Sequence, residues 1–154
     1  MAFKDSIFRF VAGVFFENPA NRKSFAQLRS SLESNGSRLR SRLESGQANP
    51  KLLSHVIQIE RWGQNRLRST LNEVPFELDG SSRYAPGAAL GWSELRLEFD
   101  KTRQATLELV DRLERANPGP VAHNQFGPIS VKGWLGYLNA HANMEVQRKL
   151  RSSP

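Results

Sequence analysis

Two of the three histidines in this sequence fall on helical positions that face a predicted core. His55 follows Leu52 by three residues, which places both side chains on the same face of a helix. His141 follows Leu138 by three residues, and Glu145 follows His141 by four. An imidazole and a carboxylate one helical turn apart can bind one metal ion together. The spacing therefore predicts two inward-facing sets of metal-ligand side chains on different helices.

The topology of the chain decides whether these side chains meet. In an up-down-up-down bundle the second and fourth helices are parallel, which would separate His55 from Glu145 by tens of ångströms. The connection over residues 73 to 90 can instead cross the bundle, because eighteen residues extend to roughly 60 Å. The second and fourth helices are then antiparallel, in an up-down-down-up order. With that crossover we predict that His55, His141 and Glu145 converge in space.

Two other candidates are predicted to lie outside this site. His123 lies in a predicted loop, where a histidine more often hydrogen-bonds the backbone than binds a metal. Glu60 lies five residues after His55, about 140° around the helix, so it should face away from the site. We expect Glu60 to pair with Arg61, Arg66 or another surface cation.

Four helices are predicted to position these residues. Asn18-Pro19 and Asn49-Pro50 are each typical of an N-cap followed by a proline in the first helical turn. Ser130 is a plausible N-cap for the last helix. The stretches between the second and third helices and between the third and fourth lack a sustained period and read as irregular connections. The predicted helices span residues 19 to 45, 50 to 72, 92 to 115 and 130 to 151.

The fold class predicted from these elements is all-α. A chain of 154 residues suits one domain with one core, here a four-helix bundle in up-down-down-up order with a long crossover between the second and third helices. The bundle domain is predicted over residues 19 to 151, preceded by an amphipathic segment over residues 1 to 18.

The first 18 residues are predicted to form a short amphipathic helix rather than a targeting or membrane segment. Asp5 and Arg9 interrupt the apolar run, and a bilayer span needs about 20 apolar residues. We expect this helix to pack on its own bundle or on a second subunit, and so to support a homodimer. The apolar residues that recur at helical spacing are Phe3, Ile7, Phe10, Val11 and Val14.

The sequence contains no cysteine. This excludes disulfides, thiolate zinc sites, iron–sulfur clusters and cysteine nucleophiles, and it favours a reducing, cytoplasmic location. Any thiol chemistry would need an added thiol.

The net charge of +7 is unevenly distributed, since residues 1 to 70 carry 12 Lys and Arg against 5 Asp and Glu. An excess of this kind raises the question of an acidic partner. The cations are scattered around their helices without interleaved aromatic residues, which is typical of a solvated face and does not support nucleic-acid binding. They are Arg22, Lys23, Arg29, Arg38, Arg40, Arg42, Arg61, Arg66 and Arg68.

Three segments together resemble a known family. They are HVIQIERW at His55–Trp62, HNQFGPIS at His123–Ser130, and Trp134-Leu135 followed by His141. In order and spacing, over about residues 22 to 150, they resemble the DinB-like, or YfiT-like, superfamily of bacterial four-helix metal-binding bundles. The resemblance implies the up-down-down-up topology that the crossover also requires.

The resemblance also implies a triad of ligands for a divalent metal such as zinc or nickel. The family usually supplies one histidine from the second helix and two histidines, four residues apart, from the last. By position His55 and His141 match, whereas Glu145 stands where the family has its second histidine. Glu145 either completes a two-histidine, one-carboxylate set that zinc accepts, or marks a lost site in which it pairs with Arg148 or Lys149.

Two functions follow from these alternatives. With a metal, the resemblance implies a thiol-dependent transferase, and the ligand set also suits a hydrolase, acting on a small-molecule substrate with the help of a low-molecular-weight thiol or water. Without a metal, the chain would be a binding or assembly module in which the same residues form a polar network and the N-terminal segment makes a dimer contact. No residue stands out as a separate general base.

Overall fold

The computed structural model describes residue 7 and residues 11 to 151, with side chains as far as residue 147. This part of the chain is mostly helical, with five α-helices and one β-hairpin. A π-helical turn, Gly13–Glu17, precedes α1, and a 3-10 turn, Ser81–Tyr84, lies between α3 and α4. The elements are α1 (Asn18–Asn21), α2 (Phe25–Ser45), α3 (Pro50–Thr70), α4 (Trp92–Ala116), β1 (Val121–His123), β2 (Gly127–Ile129) and α5 (Val131–Arg151).

Most of the helix boundaries follow from capping chemistry in the sequence. The side-chain oxygen of Asn49 accepts a hydrogen bond from the backbone N–H of Leu52 at 3.1 Å and so caps α3. The hydroxyl of Ser130 accepts from the N–H of Gly133 at 2.9 Å and caps α5. The chain turns into the left-handed region at Asn72 (φ 57°), which ends α3 at Thr70 rather than at the predicted residue 72.

The predicted start of the first long helix at residue 19 is wrong. Asn18 is itself helical (φ −62°, ψ −46°), whereas an N-cap needs a non-helical conformation, and Pro19 lies inside α1. The helix begins at Phe25 instead. Ser24 caps it through a capping box, in which its hydroxyl accepts from the N–H of Gln27 at 3.1 Å and the Gln27 side chain accepts from the N–H of Ser24 at 2.8 Å.

The described part of the N-terminal segment packs on the start of α5. The Glu17 carboxylate accepts hydrogen bonds from the N–H and the hydroxyl of Ser130, at 2.5 Å and 2.7 Å. A carboxylate at a helix N-terminus is favoured by the free N–H groups and the helix dipole. A Cβ added at Gly133 would lie 2.8 Å from the Glu17 carboxyl carbon, so the lack of a side chain at Gly133 gives this carboxylate its room. The predicted packing stripe is wrong in this part of the chain, because Ile7 and Val14 are exposed and Val11 is only half-buried, and the buried residues are Ala12, Phe16 and Ala20. The other predicted positions, Phe3 and Phe10, lie outside the described residues.

Two adjacent phenylalanines give a matched test of this docking. Phe16 is 8% exposed and contacts the Tyr137 ring at 5.4 Å between centroids, whereas Phe15 is 66% exposed. We expect Phe16→Ala to lower the free energy of unfolding by about 3 kcal/mol, because it removes a buried aromatic ring and leaves a cavity. Phe15→Ala should change it by less than about 0.5 kcal/mol. Equal losses in urea denaturation would show that the segment does not dock in this way.

Contacts between the long helices show their relative directions. α3 and α5 run in opposite directions, because His55 contacts His141 and, two turns later in α3, Trp62 contacts the earlier residue Trp134. α3 and α4 run in the same direction, because their hydrogen-bonded partners advance together along both helices. The ion pairs between α2 and α4 move back along α4 as α2 advances, so these two helices are antiparallel.

A buried arginine of α3 binds the connection between α3 and α4 through hydrogen bonds and an ion pair. Arg66, predicted as a solvated cation, is 1% exposed. Its guanidinium donates hydrogen bonds to the carbonyl oxygens of Glu77 and Asp79 and pairs with the Asp79 carboxylate at 3.3 Å. Burial lowers the pKa of Arg66 more strongly than Asp79 raises it, and the carbonyl and carboxylate partners take the place of water around the charge. The connection is thereby fixed across the face of α3.

The buried apolar residues form two clusters. The larger contains Trp62 and Trp134 together with the docked N-terminal segment. The smaller contains Val56, Ala142 and Val146, each of which directly follows one of the predicted metal ligands. In the part of the chain that the structure describes, no helix is long and apolar enough to cross a lipid bilayer.

Candidate metal centre

The structure brings the three predicted ligands together. His55 projects from the second turn of α3, and His141 and Glu145 project from the second half of the antiparallel helix α5. One candidate ligand atom from each residue lies within 4.8 Å of the other two. The imidazole rings of His55 and His141 have their centroids 5.1 Å apart in an edge-on arrangement. The predicted convergence of these side chains is confirmed as a matter of geometry.

A glycine in α3 allows α3 and α5 to approach this closely. A Cβ placed at Gly63 would lie 2.6 Å from Leu138 Cδ2, well inside van der Waals contact. Leu138 is buried at 1% exposure and lies one turn before His141. Gly63 therefore lets the two helices pack closely enough for imidazoles from both to reach one point.

The electrostatic state of His141 suits a metal ligand. Burial lowers the pKa of His141 to about 4, with a further lowering from His55 and an opposing contribution from Glu145. The imidazole is therefore neutral at pH 7, which is the form that coordinates metals. Among the described residues, neither His55 nor His141 uses a ring nitrogen in a hydrogen bond, so within this part of the chain these nitrogens are available to a metal ion.

The donor set and its spacing fit a divalent cation such as zinc. Tetrahedral zinc with bonds of about 2.0 to 2.2 Å has its ligand atoms roughly 3.4 Å apart. The three atoms here need to move inward by about 1 Å, within the range of small side-chain rotations. Two histidines and one glutamate form a known zinc ligand set that leaves a position open for water or substrate.

Glu145 contributes negative charge directly at this point. It is half-buried, and its carboxylate raises the pKa of His141 against the effect of burial. It also contributes to raising the pKa of Tyr137 to about 12, although burial is the larger cause. The alternative pairing of Glu145 with Arg148 or Lys149 involves side chains outside the described residues.

Two clefts open beside the cluster. One of about 310 Å³ is lined by His55 itself, by Lys51, Ser54 and Gln58 of the same helix face, and by Leu90 of the crossover connection. A second, of about 200 Å³, lies beside aromatic rings that include Trp62 and Tyr137. Gln58 of the first cleft donates a hydrogen bond at 2.9 Å to Ser81 of the second. A ligand can therefore approach the cluster from beneath the crossover connection.

Comparison with known protein families, with characterised proteins and with solved structures finds no match to this chain. Function must therefore be inferred from the geometry of the three ligands and their surroundings.

His123 lies outside the ligand cluster, as predicted, but on a strand rather than in a loop. β1 and β2 pair in antiparallel register from Val121–Ile129 to His123–Gly127, and Gly127 (φ 73°) supplies the left-handed residue that the turn needs. His123 Nδ1 accepts hydrogen bonds from the backbone N–H groups of Gln125 and Phe126, at 3.1 Å and 3.3 Å. Burial lowers the pKa of His123 to about 4, with a further lowering from the nearby Arg66 charge. Its role is to close the hairpin.

The prediction that Glu60 pairs with a surface cation is wrong. Glu60 is 2% exposed and forms an ion pair with Arg103 at 3.0 Å, itself 3% exposed, on α4. The hydroxyl of Thr106 donates a further hydrogen bond to Glu60 at 2.7 Å. The sequence carried a signal for this network, because Thr102 and Thr106 occupy core positions of the third predicted helix. Polar residues at such positions indicate buried partners.

Proposed function

We propose that this chain is a DinB-like protein that binds one divalent metal ion, zinc or nickel, through His55, His141 and Glu145. The observation that carries the proposal is the convergence of these side chains, from helices more than 80 residues apart in sequence, to within 4.8 Å. Neutral His141, the unengaged ring nitrogens and the adjacent carboxylate all support a cation at this point.

The proposal includes an up-down-down-up four-helix bundle over residues 19 to 151. The antiparallel registers of α3 with α5 and of α2 with α4, and the parallel register of α3 with α4, support this order. The crossover that it requires corresponds to the connection fixed by Arg66. We further propose that the protein acts as a homodimer.

The reaction class that best suits this site is thiol-dependent transfer or hydrolysis of a small molecule. A bound divalent ion would act as a Lewis acid and lower the pKa of a thiol or water beside it. The chain contains no cysteine, so the thiol would come from a low-molecular-weight cofactor. The cleft beside His55 is where the substrate would lie.

The residues of that cleft can bind and orient a polar substrate. Lys51, Ser54 and Gln58 lie at successive turns of α3, on the same face as His55, and supply an ammonium group, a hydroxyl and an amide. Leu90 and Leu95 form an apolar wall opposite them. Beside His141, the phenol of Tyr137 is neutral at pH 7, and burial raises its pKa further, to about 12. Tyr137 is thus a neutral hydrogen-bond donor near His141.

Replacing Glu145 tests this proposal most selectively. Glu145→His restores the ligand set of the resembled family, so zinc affinity should be kept or raised, whereas Glu145→Gln should weaken zinc binding by roughly tenfold to a hundredfold. Competition with a chromophoric chelator measures both affinities. If Glu145→Gln binds zinc as tightly as the unaltered protein, Glu145 is not a ligand.

A different result would select the metal-free alternative. If only Glu145→His binds zinc, nickel or manganese, and the unaltered protein binds none, the pocket has been retained and the ion lost. The protein would then be a binding or assembly module.

A further inference from the structure

A third cavity, separate from the two clefts beside the cluster, lies on the other side of α5 from the proposed metal ligands. It is a groove of about 460 Å³ between α2, α5 and the N-terminal segment. Asn139 and Asn143, which line it, lie two residues before and after His141, about 200° around the helix. The volume is within the range of small-molecule sites, and the metal ligands do not line the groove.

The floor of the groove is polar and contains the side chains of buried Asn35 and half-buried Asn139. Asn35 is 4% exposed, and its side-chain N–H donates to the Asn139 side-chain oxygen at 2.8 Å. Arg103 donates to the same oxygen at 3.3 Å. Within the described part of the chain, the Asn35 side-chain oxygen and the Asn139 side-chain nitrogen make no hydrogen bond. The floor thus presents one acceptor and one donor that the protein leaves unpaired.

The walls of the groove carry positive charge without compensation. Lys23 and Arg38 line it, no Asp or Glu does, and among the described residues neither cation has an acidic partner within ion-pair distance. Two other cations of α2 pair with acidic residues of α4, Arg29 with Asp111 at 3.7 Å and Arg40 with Asp100 at 2.8 Å. Arg38 lies one turn from Asn35, so its guanidinium and the unpaired amide groups serve the same part of the groove. Lys23 precedes α2 and lies roughly 20 Å from Arg38, toward the other end of the groove.

The other half of the groove is lined mainly by apolar residues. Phe15 and Phe16 from the N-terminal segment line it, together with Pro19, and Phe15 is 66% exposed. A large exposed ring beside a cavity can cover the apolar part of a ligand. The groove therefore offers an apolar half and a cationic, hydrogen-bonding half.

We propose that this groove binds a small organic anion with an aromatic or alkyl body. The anionic head, a carboxylate or a phosphate, accepts hydrogen bonds from the Arg38 guanidinium and the Asn139 amide, and the body lies against Phe15. A guanidinium is well suited to such a head, since it donates paired hydrogen bonds. The site does not involve the metal ion. Arg38 belongs to the excess of basic residues in the first half of the chain, and binding an anion gives this residue a function.

Charged and neutral probe molecules, and two arginine variants, test this site in the metal-free protein. The probes are 3-phenylpropionate, phenyl phosphate and the neutral amide 3-phenylpropanamide, titrated up to about 10 mM against ¹⁵N-labelled protein. We expect saturable shifts of the Asn35 and Asn139 side-chain amides with at least one of the two anions and none with the neutral amide. Arg38→Gln should weaken binding about tenfold, whereas Arg40→Gln, which removes a paired arginine on the other side of α2, should change it less than twofold.

The opposite results would overturn the proposal. These are an absence of saturable shifts with both anions, equal shifts with the neutral amide, or equal losses in the two arginine variants. Both variants replace exposed side chains, and an unchanged melting temperature for each would show that they remain folded. A failure here would leave the zinc affinity of the His55, His141 and Glu145 cluster unaffected.

Discussion

Replacing Arg103 by methionine is expected to lower the free energy of unfolding by about 3 to 5 kcal/mol. The substitution leaves the Glu60 carboxylate, 2% exposed, in the interior without its cationic partner. Thr106 would still donate to this carboxylate, but one neutral hydrogen bond does not offset the loss of hydration around a charge. Chemical denaturation, analysed as a two-state transition, measures the change.

The control is an exposed ion pair between α2 and α4. Arg40 and Asp100 are separated by 2.8 Å, with side-chain exposures of 47% and 35%. Because solvent screens such pairs, Arg40→Met should cost less than about 1 kcal/mol. The double variant Glu60→Gln/Arg103→Met should regain part of the stability lost by Arg103→Met, because it removes both buried charges. Equal losses for Arg103→Met and Arg40→Met would contradict a buried, mutually dependent pair.

The second large effect concerns metal affinity rather than stability. His55→Ala and His141→Ala are each expected to weaken zinc binding by at least about a hundredfold, since two remaining side chains rarely hold zinc against water. Both variants should fold. Within the described residues neither histidine makes a hydrogen bond, so neither substitution removes one that stabilises the fold. Chelator competition measures the affinity, and far-ultraviolet circular dichroism checks the helices.

The third histidine supplies the control. His123 lies outside the ligand cluster and accepts hydrogen bonds from two backbone N–H groups. In His123→Asn a side-chain oxygen can accept in place of Nδ1, so zinc affinity should stay within a factor of about three. If His123→Asn loses as much zinc affinity as His141→Ala, the loss reflects a general disturbance of the fold and not the removal of a ligand.

The candidate site could be predicted from the sequence because it depends on regular features. Helical periodicity fixes which face His141 and Glu145 share, and the length of the crossover connection permits α3 and α5 to be antiparallel. The caps at Asn49 and Ser130 could be predicted for the same reason, since each depends on residues only three positions apart.

The features that sequence reasoning missed depend on long-range contacts. Glu60 and Arg103 are 43 residues apart, and helical spacing alone does not reveal which faces of α3 and α4 meet. Arg66 looked solvated because its partners, which are backbone carbonyls and the Asp79 carboxylate, lie in an irregular connection whose path the sequence pattern does not predict. The strands of the hairpin closed by Gly127 have only three residues each, too few to show a strand period.

The start of α2 was misplaced for a different reason. Two capping signals, Asn18-Pro19 and Ser24 with Gln27, lie six residues apart, and both satisfy local rules. The contacts of Glu17 explain why the helix begins at the second signal. Its bonds to Ser130 hold the residues around it in a continuing helix, so Asn18 does not adopt the conformation of an N-cap. That tertiary contact spans 113 residues and overrides the local preference at Asn18.

The most direct test of the proposed function is the metal content of the unaltered protein. The protein would be stripped with a chelator, incubated with zinc or nickel, passed through gel filtration to remove loosely held ions and analysed by elemental mass spectrometry. We expect close to one divalent ion per chain, held by His55, His141 and Glu145. A folded protein that retains less than roughly a tenth of an ion per chain with both metals would contradict the proposed metal centre.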